Sequence, residues 1–197
     1  MNVIALICVL IWGYFLSVLK RAKLNFYFFL VGSVGIFIFM VIYVQPILTL
    51  PLTKLVAAAA GILGETTGMY TSFFDYAMLF IHNSEGSISL YIDYECSGII
   101  EILAFVAMLW FFPVYNLMEK FVISIAGMLW IFASNLIRIF LICTLIYFFG
   151  NDMFFFAHTI FGRIVFYGLS ILLYFYVFTK SQVVRQKVGN FNYGNNI

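Results

Sequence analysis

Charge is what this chain has least of. Lys, Arg, Asp and Glu make up 9% of its 197 residues, against 65% hydrophobic and 21% aromatic, where a soluble domain carries about a quarter charged residues. That excludes an ordinary water-soluble fold and puts nearly all of the chain in a bilayer. The formal net charge of +2 is too small to argue for nucleic acid. There are 3 cysteines and 2 histidines. Without a CxxC pair, a disulfide framework or an HExxH motif, redox and metal chemistry are disfavoured. Cys8 and Cys143 fall in apolar runs and read as small core side chains. A GxSG-like serine nucleophile is absent, and so is an evident internal repeat of the kind transporters show. No positive stretch precedes the first apolar run. Lys20, Arg21 and Lys23 follow it, so that segment is expected to stay attached with its carboxyl end cytoplasmic.

What is present is length of apolar run. Stretches at about 3–19, 25–45, 98–113, 121–149 and 155–178 are long enough, or nearly so, to span a bilayer at roughly 20 residues per crossing. The fold class expected is an all-α polytopic membrane protein of about five to six transmembrane helices in a single domain. Residues 51–74 are weaker. Lys54, Glu65 and several Gly and Thr interrupt their Ala-rich centre, which suggests an interfacial, re-entrant or short helix.

Basic residues concentrate in cytoplasmic loops. Placing Lys20, Arg21, Lys23, Lys120, Lys180, Arg185 and Lys187 inside leaves Lys54 outside together with Glu65, Asp75, Glu85, Asp93, Glu95 and Asp152. The amino terminus is then external and the carboxyl terminus cytoplasmic, provided that 51–74 does not cross completely. Between the second span and the one at 98–113, residues 77–93 read as an external β-hairpin. Ile88, Leu90 and Ile92 alternate there with Ser89, Tyr91 and Asp93, around the turn Asn83-Ser84-Glu85-Gly86. The second strand leads into Cys96 at the start of a membrane helix, where a helix amino terminus favours thiolate.

One charge stands out against this background. Arg138 sits alone in the uncharged run from Phe121 to Gly150, and a guanidinium at membrane depth usually marks a working site. Cys96 lies 17 residues before Pro113, Arg138 lies 17 after Phe121, and His158 lies 20 before Phe178. At about 1.5 Å per residue all three reach a layer about 25–30 Å above the inner boundary, near the outer edge of the hydrocarbon core. These residue types permit acyl transfer. Cys96 attacks a peptide carbonyl, His158 serves as base and then acid, and Arg138 lowers the thiol pKa or stabilises the oxyanion.

The motifs Glu95-Cys96-Ser97-Gly98-Ile99, Asn135-Leu136-Ile137-Arg138-Ile139 and His158-Thr159-Ile160-Phe161-Gly162, in that order at the heads of successive helices, resemble the exosortase and archaeosortase family of membrane cysteine transpeptidases. Pro51-Leu52-Thr53 also resembles that family's pattern. The small size and the wording from Glu95 to Glu101 look most like the exosortase G type of Gram-positive bacteria. The resemblance implies Cys96, Arg138 and His158 as the catalytic residues. It also implies a secreted protein substrate with a carboxy-terminal membrane-anchored sorting signal, a membrane lipid or lipid-linked acceptor, a bacterial plasma-membrane location with the site facing outward, and no cofactor.

Plainer readings stand beside these. Cys96 can be a small residue at a helix start, Arg138 an ion-pair partner of Glu101, and His158 an interfacial histidine bonded to a carbonyl. Asn135 shares a helix face with Arg138 and supports the guanidinium or a substrate, whereas Arg163 points about 140 degrees away from His158. His82 is expected to face solvent, and the aromatics to form lipid-facing mass. The rivals from other classes are a small transporter or channel component and a non-catalytic envelope-assembly subunit.

Overall fold

The structure is a computed structural model that describes residues 3–83 and 86–184, with side chains from residue 6 onward. Ser84 and Glu85 of the expected turn, and the basic residues Arg185 and Lys187, lie outside the described residues. Seven helices and three strands follow in the order α1 Val3–Arg21, α2 Asn25–Tyr43, α3 Gln45–Thr67, β1 Tyr70–Phe73, β2 Met78–Asn83, β3 Gly86–Tyr91, α4 Tyr94–Ser97, α5 Ile99–Phe111, α6 Leu117–Phe149 and α7 Gly162–Tyr174. Two π-helical turns, Phe156–Phe161 and Phe175–Lys180, flank α7. Among the described residues α2, α3, α6 and the continuous helix Asn151–Val184 are long and apolar enough to cross a membrane. The protein is a polytopic helical membrane protein with one small sheet.

Three boundaries differ from the sequence expectation. First, residues 51–74 do not form a short helix: most of them belong to the 23-residue α3, and a turn at Gly68 and Met69 leads into β1 and a 3-10 turn from Phe74. Its link to α2 is one residue, Val44, whose backbone stays helical at φ −93 and ψ −43. Val44 N–H donates to Met40 O at 2.8 Å and Leu48 N–H to Val44 O at 3.0 Å. The two helices are thus joined without a loop, at Pro46, which has no N–H to give and favours a kink. Each of them is by itself long and apolar enough to cross a membrane. Second, α5 has only 13 residues, a rise of about 20 Å, so the expected span at 98–113 is too short to cross alone. Third, the expected hairpin is β2 and β3, but β1 adds a third antiparallel strand in the order β1-β2-β3.

The sheet keeps the expected alternation. Leu79 pairs with Leu90 and Ile81 with Ile88; Leu79, Ile81, Leu90 and Ile92 are buried, while Tyr91 is exposed. What they pack on explains the interrupted composition of α3. Tyr70 Oη donates to Ala60 O at 2.9 Å and Ser72 Oγ to Ala57 O at 2.8 Å, so β1 bonds directly to the helix backbone. A Cβ at Gly64 would lie 2.4 Å from Tyr70 O. The small residues of α3 are therefore the condition for its contact with the sheet. α6 starts at a capping box between Asn116 and Glu119. Its 33 residues rise about 50 Å, enough to reach this outer layer, where Ile142 and Ile146 complete the core around Leu79 and Ile81. A second core of Phe105, Leu109, Ile131 and Phe166 lies between α5, α6 and α7.

Candidate active site

Cys96 sits where the outer layer meets the α5–α6–α7 bundle. Asp93 fixes the chain there. Its carboxylate accepts from Glu95 N–H at 3.0 Å and Cys96 N–H at 3.2 Å, starting the four-residue α4. Ser97, fully buried, donates its hydroxyl to Tyr94 O and accepts from Ile99 N–H. Gly98 then turns the chain through φ +76 into α5, a conformation that costs other residues about 1–2 kcal/mol. The cysteine thus precedes the break. It does not stand at the amino terminus of a long helix, and the dipole stabilisation expected from sequence has only one helical turn behind it.

Two residues of α6 reach Cys96. Asn135 Nδ2 donates to Cys96 O at 2.6 Å, and Arg138 Nη2 donates to Cys96 Sγ at 3.2 Å. Both are buried, at 0% and 6% exposure. Because they are three apart on one helix they share a face, and the face is turned on the cysteine. The guanidinium also lies 5.5 Å from the centroid of the Phe166 ring, a cation–π contact that helps offset its burial. Glu101 forms no ion pair or hydrogen bond with Arg138 among the described residues and interacts with it only through space, whereas Cys96 Sγ accepts a hydrogen bond from it.

Burial pushes the Cys96 thiol above its ordinary pKa; Arg138 pulls it down and Asp93 pushes it up, with burial prevailing. Arg138 thus acts on the thiol in the downward direction, one of the two roles expected of it, while burial keeps the net pKa raised. A neutral thiol with a cation beside it needs a base.

His158 is the candidate for that base. It lies on the π-helical turn Phe156–Phe161, a distortion often found at functional sites. Its ring stacks on Phe154 at 5.7 Å between centroids and 3° between planes, and its Nδ1 is buried without a partner. No hydrogen bond joins it to Cys96 among the described residues. Asn135 Oδ1 and Arg138 Nε are likewise buried and unpartnered, and each such atom costs about 1–3 kcal/mol.

The remaining sequence candidates scatter. Glu95 is exposed and accepts from Tyr94 Oη, Arg163 is exposed, and His82 faces outward with its Nδ1 on Ser87 Oγ at 2.7 Å. Two site residues were missed. Asp93 carried a readable signal, an Asp before a helical turn. Phe166 carried none, since nothing local marks one phenylalanine among 25 as the cover of a guanidinium.

The sequence matches the family model described as transmembrane exosortase (Exosortase_EpsH) over residues 1–176. No curated protein and no solved structure gave a match. With a family match over most of its length and a buried cysteine, arginine and asparagine joined at one end of a helical membrane fold, the chain belongs to the transmembrane exosortase family.

Proposed function

We propose that this protein is a membrane cysteine transpeptidase of the exosortase G type. It cleaves the carboxy-terminal sorting signal of secreted proteins at the outer face of a bacterial plasma membrane and passes the new carboxyl end to a membrane-linked acceptor. The observation that carries the reading is the 3.2 Å contact between Arg138 Nη2 and Cys96 Sγ in a buried site. A fixed cation beside a buried thiol offsets part of the penalty that burial puts on the thiolate, the reactive form, and leaves the rest of the deprotonation to a base.

In the reaction His158 takes the thiol proton and Cys96 Sγ attacks the scissile carbonyl carbon. Arg138 holds the charge that develops on sulfur and then on oxygen. Collapse breaks the C–N bond, and the proton passes from His158 to the leaving amine, leaving a thioester on Cys96. A nucleophile from a lipid or lipid-linked acceptor then attacks the thioester carbonyl, its proton going back through His158 to the released thiol. A base must come within hydrogen-bond reach of the proton that it takes, and such contacts are often loose before substrate binds. The imidazole accordingly has to come within that reach of Cys96 Sγ when substrate binds, and its unpartnered Nδ1 is free to accept the proton.

The test is a mass-defined new carboxyl terminus on a co-expressed secreted protein bearing a carboxy-terminal membrane anchor. The Cys96→Ala variant should abolish it. Full processing by that variant sinks the enzyme reading and favours a transporter or assembly subunit.

A further inference from the structure

Two unpartnered atoms beside Cys96 are complementary. Asn135 Oδ1 is an acceptor without a donor, and Arg138 Nε–H is a donor without an acceptor. The assignment within the Asn135 amide is fixed by chemistry, since the Cys96 carbonyl can only accept and must face the NH2 group. Each side chain thus spends one atom on Cys96 and keeps one in reserve. Both stand on the same face of α6, three residues apart.

We infer that Asn135 Oδ1 and Arg138 Nε together read the N–H and the C=O that one residue of the substrate backbone turns to the same side, next to the carbon that Cys96 attacks. This rests on the proposal that Cys96 is the nucleophile toward a peptide. A single trans amide presents N–H and C=O on opposite edges, but in an extended chain the N–H and C=O of one residue share an edge, so the N–H goes to Asn135 Oδ1 and the C=O to Arg138 Nε. Other ligand classes fit worse. A carboxylate or phosphate satisfies the arginine but turns an acceptor toward Asn135 Oδ1. An ester or a tertiary amide satisfies the arginine and leaves the asparagine oxygen buried and unmet. Sites built to bond a polar hydrogen reject analogues that lack it far more strongly than apolar pockets reject a missing methylene. Asn135 is then a specificity-determining residue as well as a clamp on the nucleophile's backbone.

The experiment uses the full-length protein in detergent with three chloroacetyl probes of one side group: the secondary amide, its N-methyl amide and the corresponding ester. Labelling of Cys96 is followed by peptide mass, and each rate is divided by that of glutathione with the same probe. The secondary amide should be preferred over both others by about tenfold. Asn135→Leu should lose the preference. If Asn135→Leu does not fold, the three probes on the unsubstituted protein decide alone. Equal normalised rates at a labelled Cys96, or an undiminished preference in a folded Asn135→Leu, overturn the inference. Neither result touches the processing test with Cys96→Ala, so the two readings fail separately.

Discussion

At the residue scale the site is a contest over one proton. Burial raises the Cys96 pKa, Arg138 lowers it, and Asp93, needed to cap α4, raises it again. A raised pKa means less thiolate at a given pH, so labelling by a small neutral thiol reagent should speed up with pH and level off only above the ordinary thiol range. Arg138→Met removes the one downward influence, which should slow labelling at neutral pH and push the profile to still higher pH. Arg138→Lys should not restore it, because an ammonium cannot reproduce the guanidinium's simultaneous reach to sulfur and Nε donor. A profile that Arg138→Met leaves unchanged would mean that the contact carries no charge stabilisation. The sequence made Cys96, Arg138 and Asn135 legible because a lone charge in a membrane segment is expensive and helix counting gives its depth. Sequence cannot give lateral distance, and so the role of Phe166 over the guanidinium, and the lack of a hydrogen bond between His158 and the thiol among the described residues, emerged only from the fold.

At the scale of elements, two glycines decide how the outer layer meets the cysteine. A Cβ on Gly98 would find only ordinary contacts, the nearest Ile131 Cγ2 at 3.6 Å, so the cost of Gly98→Ala is conformational, about 1–2 kcal/mol at φ +76. The chain should still fold, with α4 and Cys96 displaced relative to Arg138 and processing down about tenfold or more. Gly64→Val is the opposite case. Its side chain would start 2.4 Å from a backbone oxygen of β1, which cannot yield as a side-chain tip can. Overpacking of that kind costs about 1–3 kcal/mol, and should appear as faster proteolysis within residues 70–91 and a lower midpoint of unfolding in detergent. The hairpin of β2 and β3 was readable from alternation. β1 was not, because four residues of Tyr-Thr-Ser-Phe have too short a period to register, and α3 was obscured because residues chosen for close approach dilute the hydrophobic signal.

For the whole molecule, everything turns on which face of the membrane carries the sheet. The sheet and the cysteine cannot be on different sides: Ile92 N–H bonds to Ala77 O at 2.9 Å, and Asp93, the next residue, caps the turn that holds Cys96. Lys20 and Lys120 meet at the end of α6 away from the sheet, where Lys120 Nζ bonds to Trp110 O at 2.7 Å. Cys96 itself, 6% exposed, is a poor reporter for a bulky reagent, but Ser87 on β3 is exposed. In a chain with Cys8 replaced by Ser, Ser87→Cys should react with a membrane-impermeant maleimide added to intact cells, whereas Lys20→Cys should react only after the membrane is opened. The reverse pattern would put the thiol, the arginine and the histidine on the cytoplasmic face. There a secreted protein's sorting signal could not reach them after export, and the proposed reaction would have no substrate.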